Sequence, residues 1–151
     1  VKRFQFSLHR LLQVKQLREQ LAEAQVAQAR RQVELAHEQI ARLQVALAEV
    51  AARLEKAVGH TLGVESWAGW FDQSNRLERA LRLAEQHLAQ AEQVLNQAIH
   101  TRTRISTEVE TLDTLRQQHW ELFRQEAQRI EQDNLDELGL RRWMQNQRKK
   151  H

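Results

Sequence analysis

Apolar residues return along this chain at alternating steps of three and four, the spacing that lines one side of a coiled-coil helix. Between residues 22 and 57 the series is Ala22, Val26, Ala29, Val33, Ala36, Ile40, Leu43, Leu47, Val50, Leu54 and Ala57, and no member is polar. A second series runs Leu77, Leu81, Ala84, Leu88, Ala91, Leu95, Ala98, Arg102, Ile105, Val109 and Leu112, with Arg102 its one polar member. So narrow a stripe does not hold a lone helix together in water, so the two stripes are expected to bury one another. The fold class this predicts is all-α: two long helices forming an antiparallel coiled-coil hairpin.

Breakers place the turn. Of four glycines, Gly59, Gly63 and Gly69 fall close together, and the fourth is Gly139; proline is absent. Gly59 suits the residue just past a helix end, where a left-handed backbone is needed. Ser66 is read as the N-cap of the next helix, with Trp67, Trp70 and Phe71 opening its apolar face. The boundaries are helix 1 at about 4–58, a turn at about 59–65, helix 2 at about 66–138 and a basic C-terminal extension at 139–151, all in one domain spanning 1–151. At about 1.5 Å per residue each arm is on the order of 80 Å or more, so a rod is expected. The tryptophans with Phe71 read first as a staple of the turn.

The position of the turn suggests a register with Leu54 opposite Leu77, Leu43 opposite Leu88 and Ala29 opposite Arg102, in which several layers, such as Leu47 with Ala84 and Ala36 with Leu95, pair large with small. The Arg102 stem would lie over Ala29 with its head in water. Both series slip by eleven residues near the termini, from Leu11 to Ala22 and from Val109 to Trp120, a spacing that relaxes a left-handed supercoil. In this register the slips coincide, Leu11 faces Trp120, Leu8 faces Phe123, and helix 2 overhangs from about residue 128. A shift of one heptad keeps every apolar position in the seam, so periodicity leaves the register open at that level.

Composition narrows the function. The chain has 151 residues and no cysteine, which excludes disulfides, thiolate nucleophiles and zinc–thiolate sites. No apolar run is long enough for a membrane span, and the first residues do not resemble a signal peptide. No phosphate-cradling glycine motif is present. The histidines show no metal-ligand spacing, and pairs such as Glu38/Arg42, Glu49/Arg53 and Glu78/Arg82 fit helix support better than acid–base chemistry. No enzyme activity, cofactor, metal or small-molecule substrate is expected.

The net charge of +3 conceals an uneven distribution. Lys2, Arg3, Arg10, Lys15 and Arg18 occur without an acid in residues 1–18. Arg141, Arg142, Arg148, Lys149 and Lys150 occur without one in 140–151. Between these, Glu121, Glu126, Glu131, Asp133, Asp136 and Glu137 outnumber Arg124 and Arg129. On charge alone this admits a structural or nucleic-acid-binding coiled coil with a basic tail. A hairpin dimerised into a four-helix bundle is a further alternative.

The opening Phe4-x-Phe6-x-Leu8-x-x-Leu11-Leu12 resembles the FliJ family of flagellar type III export proteins. So do the tail Ile130-Glu131-Gln132-Asp133-Asn134-Leu135-Asp136-Glu137-Leu138 and Trp67 at the turn followed by Leu77 and Ala80. Injectisome stalks of virulence secretion share the architecture. The resemblance implies a non-catalytic stalk similar to the γ subunit of rotary ATPases, cytoplasmic and peripheral at the flagellar base on the inner membrane. Its implied partners are the hexameric flagellar export ATPase, whose ring assembly and activity it would promote, the cytoplasmic domain of the FlhA export gate, and export chaperones; nucleic acid is not expected. By position the family's gate-binding stripe falls on Gln73, Leu77, Ala80 and Ala84. The ATPase-binding terminal end is expected to comprise Phe4, Phe6, Arg10, Arg141, Arg142, Arg148, Lys149 and Lys150.

Overall fold

A computed structural model describes residues 2–60 and 63–150. Two helices account for nearly all of them: α1, His9–Ala57, and α2, Val64–Lys149. They pack against each other as an all-α hairpin, in two compact units. The first unit joins residues 1–17 to 106–151, and the second comprises 18–105.

In the second unit the chain leaves α1 through a tightened last turn. The Val58 N–H donates to the Glu55 carbonyl at 3.3 Å and the His60 N–H to that of Ala57 at 3.1 Å. Gly59 between them has φ of 88°, the left-handed backbone its sequence position implies. A β-carbon at this φ is strained even though the space around it is open. The expected turn at 59–65 is in part outside the described residues, at Thr61 and Leu62. Its far end is shorter than expected, because α2 already begins at Val64. Ser66 is therefore not an N-cap. It lies in the first helical turn, and its N–H donates to the carbonyl of Gly63 at 3.1 Å. Gly63 takes the boundary position, which glycine accepts at little cost, and Glu65 places a negative charge in the first turn.

The heptad series of this unit is the buried one. Ala22, Val26, Ala29, Val50, Ala57 and Ala84 are buried, and Val33, Ala36, Ile40, Leu43, Leu77, Leu81, Leu88, Ala91, Leu95 and Ala98 are half-buried. The register differs from the expected one. A shallow groove brings Ala29, Gln32, Ala36 and Gln39 of α1 alongside Ala84, His87, Ala91 and Val94 of α2. That is about one heptad from the pairing of Ala29 with Arg102. The short connection explains it: with α1 ending at Ala57 and α2 starting at Val64, the arms face each other as soon as they emerge from the turn. In this register half-buried Arg102 lies across from Ala22, another small residue over which its stem can rest.

The expected eleven-residue slips are absent. Leu12 is the most buried side chain, at 2% exposure, whereas Leu11 is 43% exposed. From Leu12 the covered positions of α1 continue through half-buried Lys15 and Glu19 in steps of three and four to Ala22. A search for apolar positions alone skips this stretch because its seam residues are charged. The Lys15 ammonium reaches the Glu108 carboxylate at 2.6 Å across the pair, so its stem packs while its charge is matched. On α2, Leu112 is buried and Leu115 half-buried, while Trp120 is 47% exposed.

Two helix ends also differ. Helix 1 begins at His9, not near residue 4, with the His9 N–H donating to the Phe6 carbonyl at 3.1 Å. Phe4 and Phe6 lie on the non-helical lead, where both can reach α2; on a helix, residues two apart point to nearly opposite sides. Helix 2 does not stop at Gly139 but continues to Lys149. An isolated glycine costs a helix only about 1 kcal/mol, and here an Arg141–Glu137 ion pair of 2.9 Å spans it one turn apart.

Candidate interaction surfaces

The expected ATPase-binding residues separate into two settings within the first unit. Phe4 packs edge-on to Trp120, with ring centroids 5.2 Å apart, and tilted against Phe123 at 5.5 Å. Phe6 is buried and meets the His119 ring edge-on at 5.4 Å, and Trp120 stacks with Phe123 at 5.8 Å. Here again the expected pairing moves: Trp120 meets Phe4 rather than Leu11, a heptad away, and Phe123 meets Phe4 rather than Leu8, about one turn away. Edge-to-face aromatic pairs add about 0.5–1.5 kcal/mol each beyond the area they bury. Phe4 and Phe6 thus hold the chain's beginning to α2. Arg10 is exposed and lines a shallow surface with Phe4 and Arg116.

The other setting is the last part of α2. Every described residue from 124 to 150 is exposed, so this stretch begins a little before the expected overhang at 128. Its acidic part is laced along one helix. Arg124 pairs with Glu121 at 2.8 Å, and Arg129 with Glu126 at 2.7 Å and Asp133 at 3.7 Å. The hydrogen bond from Arg129, with its charge, holds the Glu126 carboxyl below the usual carboxylate range. Such exposed pairs, screened by water, give the helix only weak local support. Beyond them come Arg142, Arg148, Lys149 and Lys150, all exposed, with Arg141 on Glu137. The segment also displays apolar side chains that the heptad reading leaves out: Ile130, Leu135, Leu138, Leu140, Trp143 and Met144 are each 44–59% exposed.

The expected gate-binding stripe lies at the start of α2 in the second unit. Gln73 is exposed, Leu77 and Ala80 are half-buried, and Ala84 is buried at 8%. Leu77 and Ala84 belong to the seam with α1. Gln73 and the open side of Ala80 are the parts a partner can touch. Nearby, Trp67 meets Trp70 edge-on at 5.8 Å and stacks on Phe71 at 6.4 Å. Phe71, expected with the tryptophans to staple the turn, is 58% exposed, and Val64 is 84% exposed. Among the described residues, no helix is long and apolar enough to cross a membrane.

The family profile described as Flagellar FliJ protein matches residues 4–148. This chain belongs to the FliJ family. The match takes in the aromatic opening, both helices and the exposed end of α2. Membership assigns the chain a role related to flagellar export. Searches of curated proteins and of solved structures return no match.

Proposed function

We propose that this FliJ-family chain is a non-catalytic stalk of the flagellar export apparatus, promoting assembly and activity of the hexameric export ATPase and coupling it to the FlhA gate. The observation that carries this reading is the exposed α2 segment at 124–150, a single helix ending in Arg141, Arg142, Arg148, Lys149 and Lys150. A helix about 10–12 Å across, with cations at its end and no second helix beside it, fits a narrow acidic channel. The aromatic contacts of Phe4 and Phe6 support that segment at its base, and exposed Arg10 adds charge there.

Replacing Arg141, Arg142, Arg148, Lys149 and Lys150 together with Gln is expected to weaken binding to the export ATPase at least tenfold, and more steeply at low salt, where charge attraction is least screened. Titration calorimetry with the purified ATPase checks this. Unchanged affinity would refute the assignment.

The FlhA contact is assigned to Gln73, Leu77, Ala80 and Ala84, with export chaperones as further partners at the cytoplasmic face of the inner membrane. Leu77→Asp would damage the seam as well as any partner contact. Ala80→Asp tests the gate role more cleanly, since position 80 is beside the seam. The expected outcome is at least a tenfold loss of affinity for the cytoplasmic domain of FlhA, with helical circular dichroism retained.

A further inference from the structure

The last three turns of α2 separate their side chains by chemistry. At 100° per residue, Leu140, Trp143 and Met144 fall within an arc of roughly 100°, in which uncharged Gln147 is the one polar member. Arg141, Arg142, Arg148 and Lys149 occupy a separate arc of roughly 120°, with Lys150 near the apolar border. None of these apolar residues packs on α1: Leu140 is 53% exposed, Trp143 59% and Met144 49%. Arg141 is held by Glu137 at 2.9 Å, and residues 140–151 contain no acid.

We infer that residues 140–150 form an amphipathic element that binds an anionic lipid surface. The combination favours lipid over other polyanions. Cations alone would suit phosphate of any kind, but an apolar arc with a tryptophan fits the boundary between headgroups and acyl chains. Anionic headgroups meet the basic arc, whereas Glu126, Glu131, Asp133, Asp136 and Glu137 are repelled by them. Contact along α2 is thereby confined to its end. The binding is peripheral and reversible, as expected for one short element without a lipid anchor. This inference does not depend on ATPase docking, since it concerns the chain and lipid alone.

The test is flotation of the full chain with phosphatidylcholine vesicles, with and without one third phosphatidylglycerol. At least tenfold more chain should float with the anionic vesicles, and high salt should reduce the difference. Leu140→Glu with Met144→Glu should lower the bound fraction at least tenfold, and so should Arg142→Gln, Arg148→Gln, Lys149→Gln and Lys150→Gln combined. Brominated acyl chains should quench the wild-type fluorescence, and Trp143→Phe should abolish that quenching. This last readout needs no charge variant and no change in helix stability. Equal flotation with both vesicle types, or no quenching assigned to Trp143, would overturn the inference. So would loss of binding in the charge variant alone with duplex DNA bound equally by the Leu140→Glu/Met144→Glu chain, which would mark a general polyanion site.

Discussion

A chain carrying Val26→Cys and Ala98→Cys is expected to close a disulfide on mild oxidation, while Val26→Cys with Ile105→Cys leaves both thiols free. The natural sequence has no cysteine, so each pair reports without interference. Ala98 and Ile105 are both seam positions on α2, one heptad apart, and apolar periodicity cannot choose between them. The groove that sets Ala29 beside Val94 and Gln39 beside Ala84 does choose: it brings Val26 level with Ala98. One heptad is about 10 Å along a helix, beyond the roughly 4.4–6.8 Å between α-carbons that a disulfide spans. Mass spectrometry after oxidation reads the outcome directly. The cross-link would also close a loop long enough to add about 4 kcal/mol of stability by the chain-entropy account, visible as a higher unfolding midpoint.

Leu12→Ala is expected to destabilise the first unit by about 2–4 kcal/mol, and Leu11→Ala by less than about 1 kcal/mol. These neighbours differ little in chemistry but greatly in burial, at 2% against 43% exposure. Removing Leu12 leaves a cavity in a covered seam, whereas Leu11 is partly in water already. Urea unfolding of the two variants, monitored by circular dichroism, checks the contrast. Equal losses would return the seam to Leu11 and restore the eleven-residue slip.

The hairpin was legible because its signals are redundant: two series of eleven residues each repeat the same three-and-four spacing, and Gly59 breaks it once with the one backbone geometry that glycine supplies freely. The register was not legible for a physical reason. Moving one helix by seven residues returns every apolar position to the seam, so the decision rests on how the connection from Ala57 to Val64 turns the chain back close to the end of α1. Charged seam positions misled in another way. Lys15 counts as polar in a pattern but buries a four-carbon stem, and its partner Glu108 lies 93 residues away in sequence. At Gly139 and Ser66 a local preference lost to context: good helix formers and the Glu137–Arg141 pair carry α2 past one, and Gly63 opens α2 before the other.

The surfaces follow the same division. The basic residues at the end of α2 were visible as a run of charge without acids. Their placement on a helix, and the apolar arc of Leu140, Trp143 and Met144 opposite them, required knowing that α2 passes Gly139. For the stripe at Gln73, Leu77, Ala80 and Ala84, sequence position could not tell seam from surface; burial divides it, with Ala84 covered and Gln73 open.

The most direct measurement of the proposed role is the hydrolysis rate of the purified flagellar export ATPase as increasing amounts of this chain are added. The stalk account predicts a saturable rise in rate together with more hexameric ATPase in sedimentation at the same concentrations. A rate and a hexamer fraction that stay flat at saturating chain would contradict it.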